Sequence, residues 1–343
     1  MLTIGYVGNG KSCNRYHLPF VLQRTDKLRV KAIFDLDVVN VKWNKIEGVH
    51  YTSNIDELMT DPEINLIVIC TQPRFHYEYA KMALGHGKNV LCEKPFMETT
   101  AQAREIFALA QELGLLVQCY QNRRYDSDFL TVQKVIESGK LGEIVEVEMG
   151  FDYYRPETPE NSTAFVASDS YLYGHGCHTI DQVVSYFGIP DNVTYDVRAL
   201  CGKDKMSDYF DLDLFYGENL KVSVRSSYFR IKRRPSFVVY GKRGMFVKET
   251  PDRQEEFLKL FYMPDKPGFA QDDLEHYGTI TYQDADGIHE EKVPTVPGDY
   301  GRVYDALYET LVNGIENPVK PEQTLAVMEI LETGAATVEG HYR

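Results

Sequence analysis

Residues 1–35 read MLTIGYVGNGKSCNRYHLPFVLQRTDKLRVKAIFD. The apolar run Thr3–Val7 has the length and composition of a buried strand, and it gives way at once to Gly8-Asn9-Gly10-Lys11-Ser12 and a helical pattern. At such a junction Gly8 permits a tight turn and Gly10 lets backbone approach a pyrophosphate, while the helix start offers unpaired N–H groups to the anion. Cys13 stands where a third glycine is common and is small enough to pack there. A Gly-x-Gly turn alone is often only a turn. Here Asp35 closes the next predicted strand, Arg29–Phe34, about 20 positions beyond the loop, the spacing at which a carboxylate accepts the ribose hydroxyls of NAD. Strand, glycines and acid in register predict a dinucleotide site.

Working outward, short apolar runs at Leu66–Cys70, Asn89–Leu91 and Leu115–Gln118 alternate with amphipathic stretches, the signature of βαβ units and a parallel sheet. Asn54 with Glu57, and Thr99 with Gln102, have the spacing of a capping box that opens a helix. After Cys119 the rhythm changes. A helix is predicted over Asp126–Ser138, and Ile144–Phe151, Met206–Tyr216 and Leu220–Ser226 then alternate apolar and polar residues as half-exposed antiparallel strands do. Helical stretches at Asp299–Asn313 and Glu322–Val338 close the chain. The expectation is an α/β protein of two domains, 1–121 and 122–343, the first a doubly wound parallel sheet of Rossmann type.

The 343 residues are 43% hydrophobic and 26% charged, enough for a sizeable core. A net charge of −14 lacks the electrostatic footprint of a phosphate-backbone binder, so nucleic acid is not an expected partner. Apolar runs are strand-sized, which argues against a membrane span, and Met1 leads straight into a strand with no basic segment or apolar leader. Six cysteines without a C-x-x-C pair fit reduced thiols and a cytoplasmic location.

Residues 67–95 read IVICTQPRFHYEYAKMALGHGKNVLCEKP and residues 174–182 read GHGCHTIDQ. With the glycine loop, these segments resemble the Gfo/Idh/MocA oxidoreductases, the family of glucose–fructose oxidoreductase and inositol dehydrogenase, over nearly the whole chain. The similarity is strongest to bacterial members of unassigned substrate that share the Gly-Lys-Ser loop, the Arg-Tyr-His-Leu-Pro helix start and a segment like Asn122-Arg123-Arg124. The resemblance implies a Rossmann domain, a second α/β domain with a large open, mostly antiparallel sheet, a nicotinamide cofactor, and sugar or polyol substrates.

Glu93-Lys94-Pro95 follows a predicted parallel strand at its carboxyl end, where open α/β sheets place their ligands. A lysine there can donate to the nicotinamide ribose and to a substrate hydroxyl, and its charge favours the alkoxide that forms before hydride leaves. The same residues could equally be a surface Glu93–Lys94 pair with Pro95 ending the strand. In a helix Gly174, His178, Asp181 and Gln182 share a face; His178 can take the hydroxyl proton, and Asp181 can orient its ring or touch substrate. A histidine on an apolar helix can also be simple packing. The resemblance favours Lys94 and His178 as catalytic residues, although the family commonly carries an aspartate where this chain has Gly174.

Thr71-x-Pro73-x-x-His76 is expected to shape the cofactor pocket, which with Gly8, Asn9, Gly10, Lys11, Ser12, Asp35, Glu93 and Lys94 completes the cofactor set. Arg124 and Arg155 are candidate substrate contacts, and the polar loop from Asp152 to about Ser170 is a candidate lid. His175 and His178 lack a third and fourth partner, so no metal is expected. The function expected is hydride transfer between a sugar, sugar acid or polyol hydroxyl and NAD, with NADP not excluded. Glycoside cleavage using bound NAD and a non-catalytic dinucleotide-binding regulator are the alternatives. Alternating residues on Met206–Tyr216 and Leu220–Ser226 offer one face of mixed charge and aromatics for a homo-oligomer, dimer or tetramer.

Overall fold

The computed structural model describes residues 1–40, 42–164 and 166–341. Its first compact unit comprises residues 1–122, 256–269 and 300–328, and its second comprises 123–255, 270–299 and 329–343. A change of unit falls beside the boundary that the sequence pattern places at 121. The two returns to the first unit leave no mark in local periodicity, because they are made by tertiary contacts: Leu258 and Tyr300 join Phe20 in one buried cluster.

In the first unit the strands are β1 (Leu2–Val7), β2 (Leu28–Phe34), β3 (His50–Thr52), β4 (Leu66–Ile69), β5 (Asn89–Cys92) and β6 (Val117–Cys119). They pair in parallel in the order β3-β2-β1-β4-β5-β6. All of β1 and β4 is buried, which is why both read as unbroken apolar runs rather than alternating ones. Sheet order reverses between β1 and β4, and Val7, Ile69, Cys92 and Cys119 are in register across the sheet. The loops that begin at Gly8, Cys70 and Glu93 therefore open along one edge at the topological switch point.

Thr99 caps the helix Thr100–Leu113 by accepting from the Gln102 N–H at 3.2 Å, as the spacing predicts. In return the Gln102 side-chain oxygen accepts from the N–H of Glu98 at 3.2 Å. The other predicted box yields only the four-residue helix Asp56–Met59: Asn54 accepts from Asp56, and the Glu57 side chain is drawn to His50.

In the second unit the strands are β7 (Ile144–Gly150), β8 (Asn192–Arg198), β9 (Tyr209–Tyr216), β10 (Leu220–Ser227), β11 (Phe237–Gly241), β12 (Gly244–Lys248), β13 (Gly278–Asp284) and β14 (Gly287–Val293). They form one sheet in the order β14-β13-β12-β11-β7-β10-β9-β8. Every neighbouring pair is antiparallel except β7 with β10, which run parallel, so the sheet is mostly antiparallel as expected. Val147, Met149, Leu212, Leu214, Val222 and Val224 line one buried face, against which the helices Ser127–Glu137 and Cys177–Phe187 pack. Strand β9 starts at Tyr209 rather than Met206, because Asp208 is fully buried and its carboxylate accepts the N–H groups of Leu200 and Cys201, holding a turn. No helix among the described residues is long and apolar enough to cross a membrane.

Candidate active site

Gly8 has φ +107°, and a Cβ there would lie 2.5 Å from the carbonyl oxygen of Cys70, so only glycine fits the turn. A Cβ at Gly10 would meet nothing within 4 Å, so the loop faces open space where the sequence predicts a pyrophosphate. Asn9 is buried beside it; its side-chain oxygen accepts from Asn14 at 2.9 Å, and its amide nitrogen is left without a partner in the chain. The Gly8 N–H donates to Phe34 at 2.9 Å, which sets the loop next to Asp35 at the end of β2. Asp35 is half-exposed and accepts from the N–H of Asp37, whose own carboxylate is taken by Val39 and Asn40. Open glycine, orphaned buried amide and ribose-spaced acid together fit a dinucleotide.

Lys11 is exposed at the start of the helix, and Ser12 turns inward to donate to Glu93. The Glu93 carboxylate is buried and fully used: Ser12 and His17 Nε2 (3.0 Å) meet one oxygen, and the backbone N–H of Lys94 (2.9 Å) meets the other. It is not the surface partner of the bland alternative. Burial alone would raise its pKa, but the hydrogen bond and charge of His17, the charge of Lys94 and the Ser12 hydroxyl bring it down to about 2. His17 is itself clamped, with Nδ1 2.6 Å from the Tyr304 hydroxyl and its ring stacked 3.9 Å from Tyr120; Tyr304 continues to the Tyr6 hydroxyl at 3.0 Å.

His17, Tyr304 and Tyr6 are the members of this site that sequence reasoning missed. The signal was faint: His17 lies in the Arg-Tyr-His-Leu-Pro segment, where a π turn over Cys13–His17 aims it inward.

His76 is buried and ties two loops together. Its Nδ1 lies 3.0 Å from the Pro95 carbonyl oxygen and 3.1 Å from that of Phe96, and its Nε2 lies 3.2 Å from that of Thr71. Burial lowers its pKa against these carbonyls, which favours the neutral ring. Pro73 opens the short 3-10 turn that leads into its helix. His76 thus shapes the loops around Thr71 and Glu93-Lys94-Pro95, and Lys94 itself is half-buried beside them.

In the second unit His178 is buried in the first turn of the helix Cys177–Phe187, after a π turn over Leu172–Gly176. Asp181, expected to orient His178 or touch substrate, and Arg124, a candidate substrate contact, hold each other in a part-buried bidentate pair at 2.7 and 2.8 Å. Gln182 donates to the Arg123 carbonyl at 2.6 Å, so the helix face that carries His178 is fastened to the segment around Arg123 and Arg124. Gly174 is half-exposed, and a Cβ there would meet nothing within 4 Å. His175 sits among Tyr171, Tyr153 and Phe151, with ring centroids at 4.6, 5.2 and 5.5 Å. Arg155 is exposed, its guanidinium 4.4 Å from the Tyr153 ring. Among the described residues, the trio spaced to hold a metal is Asp273, Glu275 and His276 in an exposed turn, not the His175–His178 pair.

Residues 2–121 match the oxidoreductase family with NAD-binding Rossmann fold, and residues 133–341 match the α/β domain that follows it in the same family. The chain belongs to the Gfo/Idh/MocA oxidoreductase family. It is 49% identical over 337 residues to the uncharacterized oxidoreductase YhhX of Escherichia coli, covering 97% of this chain and 96% of that one. A crystal structure of yhhX superposes with a TM-score of 0.93 at 48% identity, covering 97% and 96% of the two chains. The scyllo-inositol 2-dehydrogenase (NADP(+)) IolW of Bacillus subtilis is 31% identical over 338 residues, covering 96% and 92%.

Proposed function

We propose that this protein is a nicotinamide-dependent dehydrogenase or reductase of the CH–OH group of a sugar, sugar acid or polyol, that it prefers NAD to NADP, and that it works in the cytoplasm as a homo-oligomer. The observation that carries the reading is the Glu93-Lys94 turn: a buried carboxylate, closed off by Ser12 and His17, fixes the backbone of a half-buried lysine at the carboxyl edge of a Rossmann sheet. The nicotinamide, when bound, supplies the redox chemistry. Gly8, Asn9, Gly10, Ser12 and Asp35 would hold it, with Thr71, Pro73 and His76 shaping the adjoining loops. Lys94 donates to the substrate hydroxyl and favours the developing alkoxide, and His178 accepts the proton. Asp35 accepts from a free ribose diol and repels a 2′-phosphate, with Asp37 two residues on adding to the repulsion. IolW being an NADP enzyme makes this preference worth measuring.

Assembly is read from the sheet face opposite the core. There Tyr209 and Phe215 stand beside an ion-pair network in which Arg225 reaches Asp211 and Glu148, each at 3.1 Å, and Lys221 reaches Glu146 at 2.8 Å. Light scattering at micromolar concentration should give a mass above that of one chain; a strict monomer removes the interface.

The test of function is a panel of sugars, sugar acids and polyols followed by nicotinamide absorbance with each cofactor. Lys94→Ala should lower kcat by about 10²–10³-fold with the circular dichroism spectrum unchanged, and His178→Ala should abolish turnover while sparing NAD binding. A Lys94→Ala enzyme with full activity overturns the catalytic reading. Bond cleavage in a glycoside without net NADH would move the protein to the other chemistry the family resemblance allows.

A further inference from the structure

The acidic chain holds one dense basic stretch, Arg230-Ile231-Lys232-Arg233-Arg234, in the connection from β10 to β11. That connection is zipped to the segment after β7: Tyr153 N–H donates to Ser227 at 3.0 Å, Arg155 N–H to Tyr228 at 2.8 Å and Arg230 N–H to Tyr153 at 3.1 Å, with a bridge between Tyr154 and Phe229. Two guanidiniums thereby meet one ring, Arg155 at 4.4 Å and Arg233 at 5.4 Å from the centroid of Tyr153.

The nearby acids are already engaged. Asp152 accepts the Arg234 N–H at 3.2 Å and lies 3.7 Å from its guanidinium, and Glu255 is taken by Arg123. Arg24, Arg29, Arg124, Arg198 and Arg225 find carboxylates, while Arg15 and Arg74 lie singly over phenylalanine rings; what is particular to Arg155 and Arg233 is that two guanidiniums share one ring. Arg155 and Arg233 find none among the described residues, although the chain has 51 acids for 37 bases. Two like charges at one aromatic ring repel each other, and in so acidic a chain a carboxylate could readily have been placed between them. The Tyr153 ring also meets that of His175, three residues before His178, with centroids 5.2 Å apart.

We infer that Arg155 and Arg233, seated on Tyr153, form an anion subsite that selects a substrate carrying a carboxylate or phosphate over the neutral sugar or polyol of the same carbon skeleton. For turnover, this rests on the dehydrogenase reading above; for binding, it stands without it. A planar guanidinium pairs with two oxygens of either anion, and the half-buried ring of Phe151, 5.6 Å from that of Tyr153, offers apolar surface to the carbon chain.

The experiment measures binding and turnover separately on the full chain with NAD. Binding of gluconate, glucitol 6-phosphate and glucitol is followed by calorimetry at low and high salt. The acid or the phosphate should bind about tenfold or more tighter than glucitol, with the advantage shrinking as salt rises. Which of the two wins identifies the anion. Arg155→Ala and Arg233→Ala should each cut that advantage about tenfold, Arg155→Lys should restore part of it, and Lys242→Ala, which removes an exposed cation elsewhere, should leave it intact. Arginine-dependent anion binding with no reduction of either cofactor by any compound upholds the subsite and overturns the dehydrogenase reading. Turnover of neutral polyols with no anion preference, or variants that lower acid and polyol by the same factor, overturns the subsite.

Discussion

Glu93 in the first unit and Asp128 in the second are both buried carboxylates, 6% and 4% exposed, yet they sit on opposite sides of the ordinary range. Glu93 is held down at about 2 and Asp128 is pushed up to about 6. Burial raises both and is the largest influence on each. What differs is the company: Glu93 has His17, Lys94 and Ser12, whereas Asp128 faces the carboxylate of Asp252, offset only in part by Lys248, Ser236 and the N–H of Phe129. Depth in a core does not decide whether an acid is charged; the sign of its neighbours does. The first unit keeps an anion under the lysine turn it has to anchor. The second stores an acid that folding would rather leave neutral.

The comparison breaks most severely if Glu93 is removed. Glu93→Ala leaves His17, Ser12 and the Lys94 N–H facing a cavity and should cost about 3–5 kcal/mol in urea denaturation, with Glu93→Gln milder because its carbonyl still accepts. A Glu93→Ala midpoint equal to wild type would mean that the network holds nothing.

Acid titration sharpens the same contrast. Because the folded pKa of Glu93 is depressed from 4.5 to about 2, its contribution is fully present above the unfolded value and is lost as pH falls through that window. The amount is about 3 kcal/mol at 1.36 kcal/mol per pKa unit. Stability measured from pH 5 down to pH 2 should fall more steeply in wild type than in Glu93→Gln; parallel curves would deny Glu93 its depressed pKa.

Asp128 carries the opposite sign. Its folded pKa is raised from 3.8 to about 6, so folding is favoured below the unfolded value and disfavoured as pH rises through the folded one. Asp128→Asn keeps the shape without the charge and should stabilise the protein by about 2 kcal/mol at pH 8, with the gain vanishing near pH 4. A destabilised variant at pH 8 would show that the charge is wanted.

The contrast also separates what could be read from sequence. Strands β1 and β4 were legible because a strand buried on both faces leaves an unbroken apolar run, β2 because Val30 and Ala32 alternate with Arg29 and Lys31 in its first half, and the Gly8 turn because its φ admits little else. Lys94 and His178 were singled out through motif and resemblance rather than through period. His17 was not found, since nothing local distinguishes a histidine that will reach a carboxylate 76 positions away from one that packs. The same holds for Arg124 and Asp181, whose pairing spans 57 positions. Strands β11 to β14 and the returns of the chain to the first unit depend on tertiary contacts that a 3.6 or 2.0 period does not encode.

The smallest expected effect tests the proposed proton-accepting role of His178, in a chain with Gly174 where the family commonly carries an aspartate. Asp181 is spent on Arg124, so it does not supply the missing charge. Gly174 has no φ in the left-handed region and open space where a Cβ would go, so an acidic side chain fits without a clash. The position is half-exposed, which screens the interaction, and the π turn over Leu172–Gly176 alters how residues stack one turn apart. A carboxylate there should stabilise the charged form of the imidazole. If His178 is the acid/base, Gly174→Asp should accordingly move the lower limb of the pH profile of kcat/KM upward. Its urea midpoint should stay at or slightly above wild type, since glycine inside a helix costs about 1 kcal/mol relative to alanine. If the limb stays put while His178→Ala is still inactive, the histidine positions the substrate rather than carrying the proton, and Lys94 is the next residue to substitute.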